Sequence, residues 1–146
     1  QLSLIVEDIK GEKRKLNYLL TSRNWTCPSS FIASSLTKYT NNNVWFYSFD
    51  RVREGKKSKE MGAYHGAEIP YIFNTHDKWL PTSGIDDLLT IKIQEHWINF
   101  LNTGNPNNIY KTWHKFDPEK FNVFSYDRYS KMKISKAKPV CDELGY

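Results

Sequence analysis

Val44-Trp45-Phe46-Tyr47-Ser48-Phe49 is β-branched and aromatic with little polarity. It reads as a strand buried on both faces. Such a strand does not stand alone, because its backbone and both of its faces need sheet neighbours. The rest of the chain offers few runs of comparable quality. Residues 121–126 and 131–135 alternate enough for two short strands, with Tyr126–Ser130 as the turn between them. The length of 146 residues suits one ordinary domain, yet the best strand is short of partners within it.

Helices are easier to place. Residues 12–21 carry Leu16, Leu19 and Leu20 at helical spacing. A second helix runs from Cys27 to Tyr39, with Pro28 at its first position. Ser83 to Thr103 is the strongest. Ser83 and Asp86 form a capping-box-like start, Asp87 adds charge to the first turn, and Gly104 offers a left-handed stop. Ile85, Leu89, Ile93, Trp97 and Leu101 recur every four residues and predict its buried stripe. Asp50–Glu60 reads as a charged loop, and Asp142–Tyr146 as a fraying end.

The net charge of +5 gathers at Lys13–Lys15, Arg51–Lys59 and Lys131–Lys138. These runs are not interleaved with aromatics as a nucleic-acid face would be, so they read as solvated surface and no nucleic-acid partner is expected. No apolar run is long enough to span a membrane. The acidic start, Gln1–Asp8, does not match a signal peptide, and an opening Gln suggests trimming upstream. Cys27 and Cys141 lack metal-ligand spacing, and no histidine pair supplies it, so neither a metal nor another cofactor is expected. A bond between the two cysteines would close a loop of about 115 residues; spacing alone does not prove the pairing, and two separate buried thiols are the alternative. Asn24-Trp25-Thr26 fits a glycosylation acceptor, with Trp25 a candidate for burial beside Cys27.

The chemistry-bearing stretch is Gly62 to Phe73, which sets His65 between Gly62 and Gly66 after the strand and a basic loop. Loops at the carboxyl ends of buried strands hold catalytic groups on a rigid base, and imidazole suits proton transfer near neutral pH. From these residues alone, His65 is as readily a structural histidine bonded to the main chain. His76 and His114 lie in loops, and His96 is expected at a helix rim or in solvent. No G-x-S-x-G elbow occurs. Ser29, Ser30, Ser34 and Ser35 belong to a helix, and Ser83 to a helix start.

Four segments resemble the C-terminal part of the type-B carboxylesterase and cholinesterase family of α/β-hydrolases. They are Thr26-Cys27-Pro28 with its helix, Val44 to Phe49, Gly62 to Phe73, and His96-Trp97-Ile98-Asn99-Phe100 through Thr103-Gly104-Asn105-Pro106-Asn107. Trp113 and Phe116 resemble the element beyond them, although His114 stands where a proline is usual. The resemblance runs from about Leu16 to Cys141. It implies an α/β fold in which residues 1–146 are the C-terminal segment of one hydrolase domain, completed by a separate N-terminal polypeptide. It implies that His65 is the catalytic base of a serine triad, and that the serine and the acid lie on that other polypeptide. Glu68 would then brace the loop, and Met61, Tyr64 and Ala67 would line the pocket for a small ester. The resemblance also implies a Cys27–Cys141 disulfide and, with it, a secreted, periplasmic or extracellular protein. The rival expectation is a cholinesterase-like adhesion or binding domain that keeps the fold without the triad.

Overall fold

The computed structural model describes residues 2–76, 78 and 80–146. In chain order its elements are α1 (Leu2–Ile5), α2 (Glu12–Thr21), a π-helical turn (Ser22–Thr26), α3 (Cys27–Tyr39), β1 (Tyr47–Phe49), α4 (Lys56–Met61) and α5 (Ile69–Phe73). After these come α6 (Gly84–Thr103), β2 (Asn122–Tyr126), β3 (Lys131–Ile134) and α7 (Lys138–Glu143). The elements mix helix and sheet as expected, and they fall into two compact units.

The first unit comprises Gln1–Phe46, Phe116–Asn122 and Ile134–Tyr146. Its core gathers Cys27, Ala33, Phe116, Phe121, Ala137 and Cys141, with Val44, Phe46 and Leu144 packed against them. Cys27 and Cys141 are bonded, with Cα atoms 5.2 Å apart. Pro28 is the second residue of α3, in its first turn. The end of the chain is ordered rather than frayed. α7 reaches Glu143, the Tyr146 amide donates to the Cys141 carbonyl, and the Tyr146 ring meets Phe31 edge-on at 6.3 Å. The disulfide at Cys141, just before the segment expected to fray, anchors that contact. Trp25 is 57% exposed rather than tucked beside Cys27, because it sits on the outer side of the π-helical turn.

The second unit comprises Tyr47–Lys115 and Val123–Lys133. β1 runs parallel to β2, with Tyr47, Ser48 and Phe49 opposite Phe124, Ser125 and Tyr126. β3 borders β2 on its other side, giving the order β1-β2-β3. The connection 127–130 is too short for a parallel crossover, so β2 and β3 form a hairpin. β2 is the buried central strand, whereas β1 is a half-buried edge. The expected strand 44–49, buried on both faces, is therefore shorter and less covered. Val44 leaves the ladder, its carbonyl accepting the Phe116 amide at 2.8 Å in the first unit.

α6 starts with the expected capping box and stops at Gly104 with φ 70°. Its buried side shares only Leu89 and Ile93 with the expected stripe. Asp86, Leu89, Thr90, Ile93 and His96 are buried, while Leu101 is 75% exposed. Four-residue steps drift about 40° each around a helix of 3.6 residues per turn, so that stripe rotates off any one face.

His96 is buried rather than rim-exposed. Its Nδ1 lies 2.8 Å from the Tyr126 hydroxyl, and its ring sits 5.5 Å from Trp113 and 5.3 Å from Phe124. Burial, with Lys92 adding to it and Glu95 opposing, pushes its pKa down from 6.5 to about 4. The folded protein thus resists a proton that the unfolded chain accepts. The resulting stabilisation is complete above pH 6.5 and is lost as pH falls through 4. It reaches at most about 3 kcal/mol, less the part that solvent screening removes. His96→Gln should flatten the stability profile between pH 6.5 and 4. An identical pH dependence in both proteins would refute this account.

Candidate active site

His65 stands on a tight turn. The Ala67 amide donates to the Tyr64 carbonyl at 3.0 Å, and Gly66, third of the four residues, has φ 83°. That is the type II pattern, which demands a positive φ at its third residue. Gly62 closes α4 with φ 68°. Neither glycine is forced by crowding. A Cβ at Gly62 would meet nothing within 4 Å, and one at Gly66 would make ordinary contact with Ile69 at 3.5 Å. The need is conformational. Gly66→Ala should cost about 1–2 kcal/mol through backbone strain alone, read from the denaturant midpoint. An unchanged midpoint would mean that the turn takes another form.

The turn exposes His65 and leads into a buried anchor. Ala67 is buried, and α5 starts at Ile69, its Tyr71 and Ile72 amides donating to the Glu68 carbonyl. Tyr71 is the buried side chain of α5, and the helix packs on α6. Glu68 is half-buried, and its charge adds to burial in raising the pKa of Tyr47. Met61, at the end of α4, is exposed. Tyr64 and Ala67 line a cavity of about 10 Å³ with Phe49, Arg51, Arg53 and Tyr71. That is room for roughly one water molecule rather than for a substrate.

Beneath the turn lies a charged framework where solvated surface was expected. Arg51 and Arg53 are each 6% exposed and Asp86 is fully buried. Asp86 Oδ1 accepts from Arg51 Nε at 2.8 Å and from the Tyr71 hydroxyl at 2.7 Å. Its Oδ2 accepts from the Ser83 amide at 2.9 Å, the Ser83 hydroxyl at 2.8 Å and Arg51 Nη2 at 3.2 Å. Burial pushes the Asp86 pKa up, but the bonds from Arg51, Tyr71 and Ser83 outweigh it and hold the carboxyl well below its usual range. Burial, and then the bond to Asp86, raise the Tyr71 phenol. Arg51 also pairs with Glu54 at 2.6 Å. The segment expected as loop over 50–60 thus supplies two buried arginines and, from Lys56, a helix.

His76 joins the same framework. Its Nε2 is 2.7 Å from Thr90 Oγ1, whose hydroxyl donates to the Asp86 carbonyl. Nε2 therefore donates, and Nδ1 accepts from Arg53 Nη2 at 3.1 Å. This assigns the neutral Nε2–H tautomer. His114 is exposed.

The structure therefore gathers Met61, Tyr64, His65, Ala67 and Glu68 around one turn, and the network of Arg51, Tyr71 and Asp86 supports it. In sequence Asp86 has the look of a helix cap and Arg51 that of one more surface cation. Two arginines spaced two residues apart directly after a strand are the available signal. Asn24 is exposed on the π-helical turn. The candidate serines lie elsewhere, on α3 or as the cap of α6. Among the described residues, no group of three His, Cys, Asp or Glu side chains is placed to hold a metal, and no helix is long and apolar enough to cross a membrane.

The carboxylesterase family model matches residues 6–143. Carboxylesterase 4A of Bos taurus is 35% identical over 66 residues, covering 44% of this chain and 12% of that protein. Neuroligin-2 of Homo sapiens is 31% identical over 135 residues, covering 83% of this chain and 15% of that protein. A solved PNB esterase superposes with a TM-score of 0.75 at 23% identity, over 96% of this chain and 30% of that one. The fold is that of α/β-hydrolase esterases, and the chain spans less than a sixth of the length of these curated relatives.

Proposed function

The chain belongs to the carboxylesterase family, and from that premise we propose that it is the C-terminal segment of a serine hydrolase of carboxylic esters, with His65 as general base. The observation that carries this reading is the placement of His65. It is exposed on a glycine-dependent turn whose underside is rigidly buried, which is what a base that must meet groups from outside its own segment requires. No nucleophile elbow accompanies it in the sequence. The N-terminal part of the hydrolase, cut from this segment or expressed apart from it, supplies the nucleophilic serine and the triad acid. The open edge of β1 and the exposed Leu88, Ile91 and Ile98 on α6 are consistent with a larger body around this segment.

In this reading His65 takes the proton of the serine hydroxyl as the oxygen attacks the ester carbonyl. It then gives that proton to the departing alkoxide, which leaves as alcohol. Next it takes a proton from water, whose oxygen attacks the acyl-enzyme, and returns it to the serine as the acid departs. The partner's carboxylate fixes the tautomer of His65. Glu68 braces the turn, and Met61, Tyr64 and Ala67 border the ester site once the missing part is in place. The buried disulfide fits a protein secreted into an oxidising space, where the exposed Asn24 could carry a glycan.

The second reading, a non-catalytic cholinesterase-like adhesion or binding domain, draws on the neuroligin match, which spans most of the chain. A fluorophosphonate that labels activated serines separates the two. The hydrolase reading expects one labelled serine in the complete protein, outside this segment, with labelling slowed in His65→Ala. No labelling of the folded complete protein would favour the binding domain.

A further inference from the structure

The stretch that carries His65 is fastened at both ends to one carboxylate, and we propose that Asp86 is a positioning residue that holds the His65 turn in register for proton transfer. The proposal rests on the reading of His65 as the base. Arg51, on the near side of the stretch, and Tyr71, on the far side, both bond Asp86 Oδ1, at 2.8 and 2.7 Å. Everything between them, including α4, Gly62, the turn itself and Ala67, is a stretch bracketed by that one carboxylate.

Each part of the fastening is anchored in turn. Asp86 lies in the first turn of the twenty-residue α6, and its Oδ2 is fixed by the Ser83 amide and hydroxyl. The Tyr71 hydroxyl also accepts from Arg53 Nε at 3.2 Å, and the Arg53 guanidinium lies 5.3 Å from the ring centroid. Phe49 packs against the ring as well, at 4.9 Å between centroids. The path from Tyr71 back to His65 is short and hydrogen-bonded, through Glu68 and the Tyr64–Ala67 turn. His65 itself is exposed, with positive-φ glycines before and after it at positions 62 and 66. Proton transfer is steep in geometry, and a displacement of about 1 Å costs on the order of 10²-fold in rate.

The test is a pair of double-mutant cycles in the complete protein, with a nitrophenyl ester as substrate. Asp86→Ala, which removes the shared acceptor and so releases both ends, should lower kcat by about 10²-fold with KM within about twofold. Tyr71→Phe, which releases one end and keeps the ring, should lower kcat by about tenfold on the same scale. In a His65→Ala background neither change should alter the residual rate by more than about twofold, because both act through the absent imidazole. Equal losses in both backgrounds would reduce Asp86 to a structural role and overturn the proposal. So would an unchanged kcat in the folded variants. Should Asp86→Ala fail to fold, Tyr71→Phe decides by the same criteria. Full activity of His65→Ala on its own would instead overturn the assignment of the base.

Discussion

Alanine at position 65 should lower kcat for a nitrophenyl ester by about 10⁴–10⁶-fold in the complete protein, with little change in KM. The expectation stems from the role proposed for the imidazole and from where it sits. A triad without its base keeps substrate binding and carbonyl polarisation, but it has nothing to accept the serine proton, so nearly the whole loss falls on the chemical step. The side chain is exposed, and the turn is specified by Gly66 rather than by residue 65. Truncation therefore leaves Ala67, Tyr71 and Asp86 in their buried places. The variant should fold, assemble and melt like the parent while failing to turn over. A His65→Ala protein that hydrolyses the ester at the parental rate would end the assignment.

The second large effect concerns stability. Cys27 and Cys141 are 114 positions apart, and both are buried within the core of the first unit. Joining residues so far apart removes much of the freedom of the unfolded chain. In the chain-entropy model the bond is worth about 4–5 kcal/mol. Replacing both cysteines with alanine should lose most of that amount in the complete protein, read as a lower denaturant midpoint. Reductant should reproduce the shift in the parent and have no effect on the variant. A loss below about 1 kcal/mol would mean that packing of α3 against α7 already restrains the chain. Turnover measured well below the transition should be unchanged, since His65 belongs to the other compact unit.

The legible features are those written in neighbouring residues. Pro28 marks the start of α3, and Ser83 with Asp86 and Gly104 marks both ends of α6, because capping is settled within one turn. Gly62 and Gly66 advertise a turn around His65, and the turn is there. The illegible features depend on partners far along the chain. Arg51 in a basic run looks the same in sequence whether it meets water or Asp86, 35 positions away. His96 beside Trp97 gives no sign that Tyr126 will cover it. The strand is overestimated at Val44 because the alternative partner of that residue, Phe116, is equally remote. Counting in fours along α6 finds Leu89 and Ile93 but misses the polar members of the buried face, Asp86, Thr90 and His96. A polar residue is assigned to a buried face only after its hydrogen bonds are known.

The parallel pairing of β1 with β2 also sets an order of events during biosynthesis. Tyr47 meets Phe124, so β1 leaves the ribosome about 75 residues ahead of its neighbour, an interval of roughly 4–15 s at typical elongation rates. Throughout that time the aromatic strand is a bare, sticky edge, and the segment bearing His65 has only one of its two flanking strands. Nascent chains stalled inside this window should be prone to chaperone capture and clumping, and those stalled beyond Tyr126 much less so.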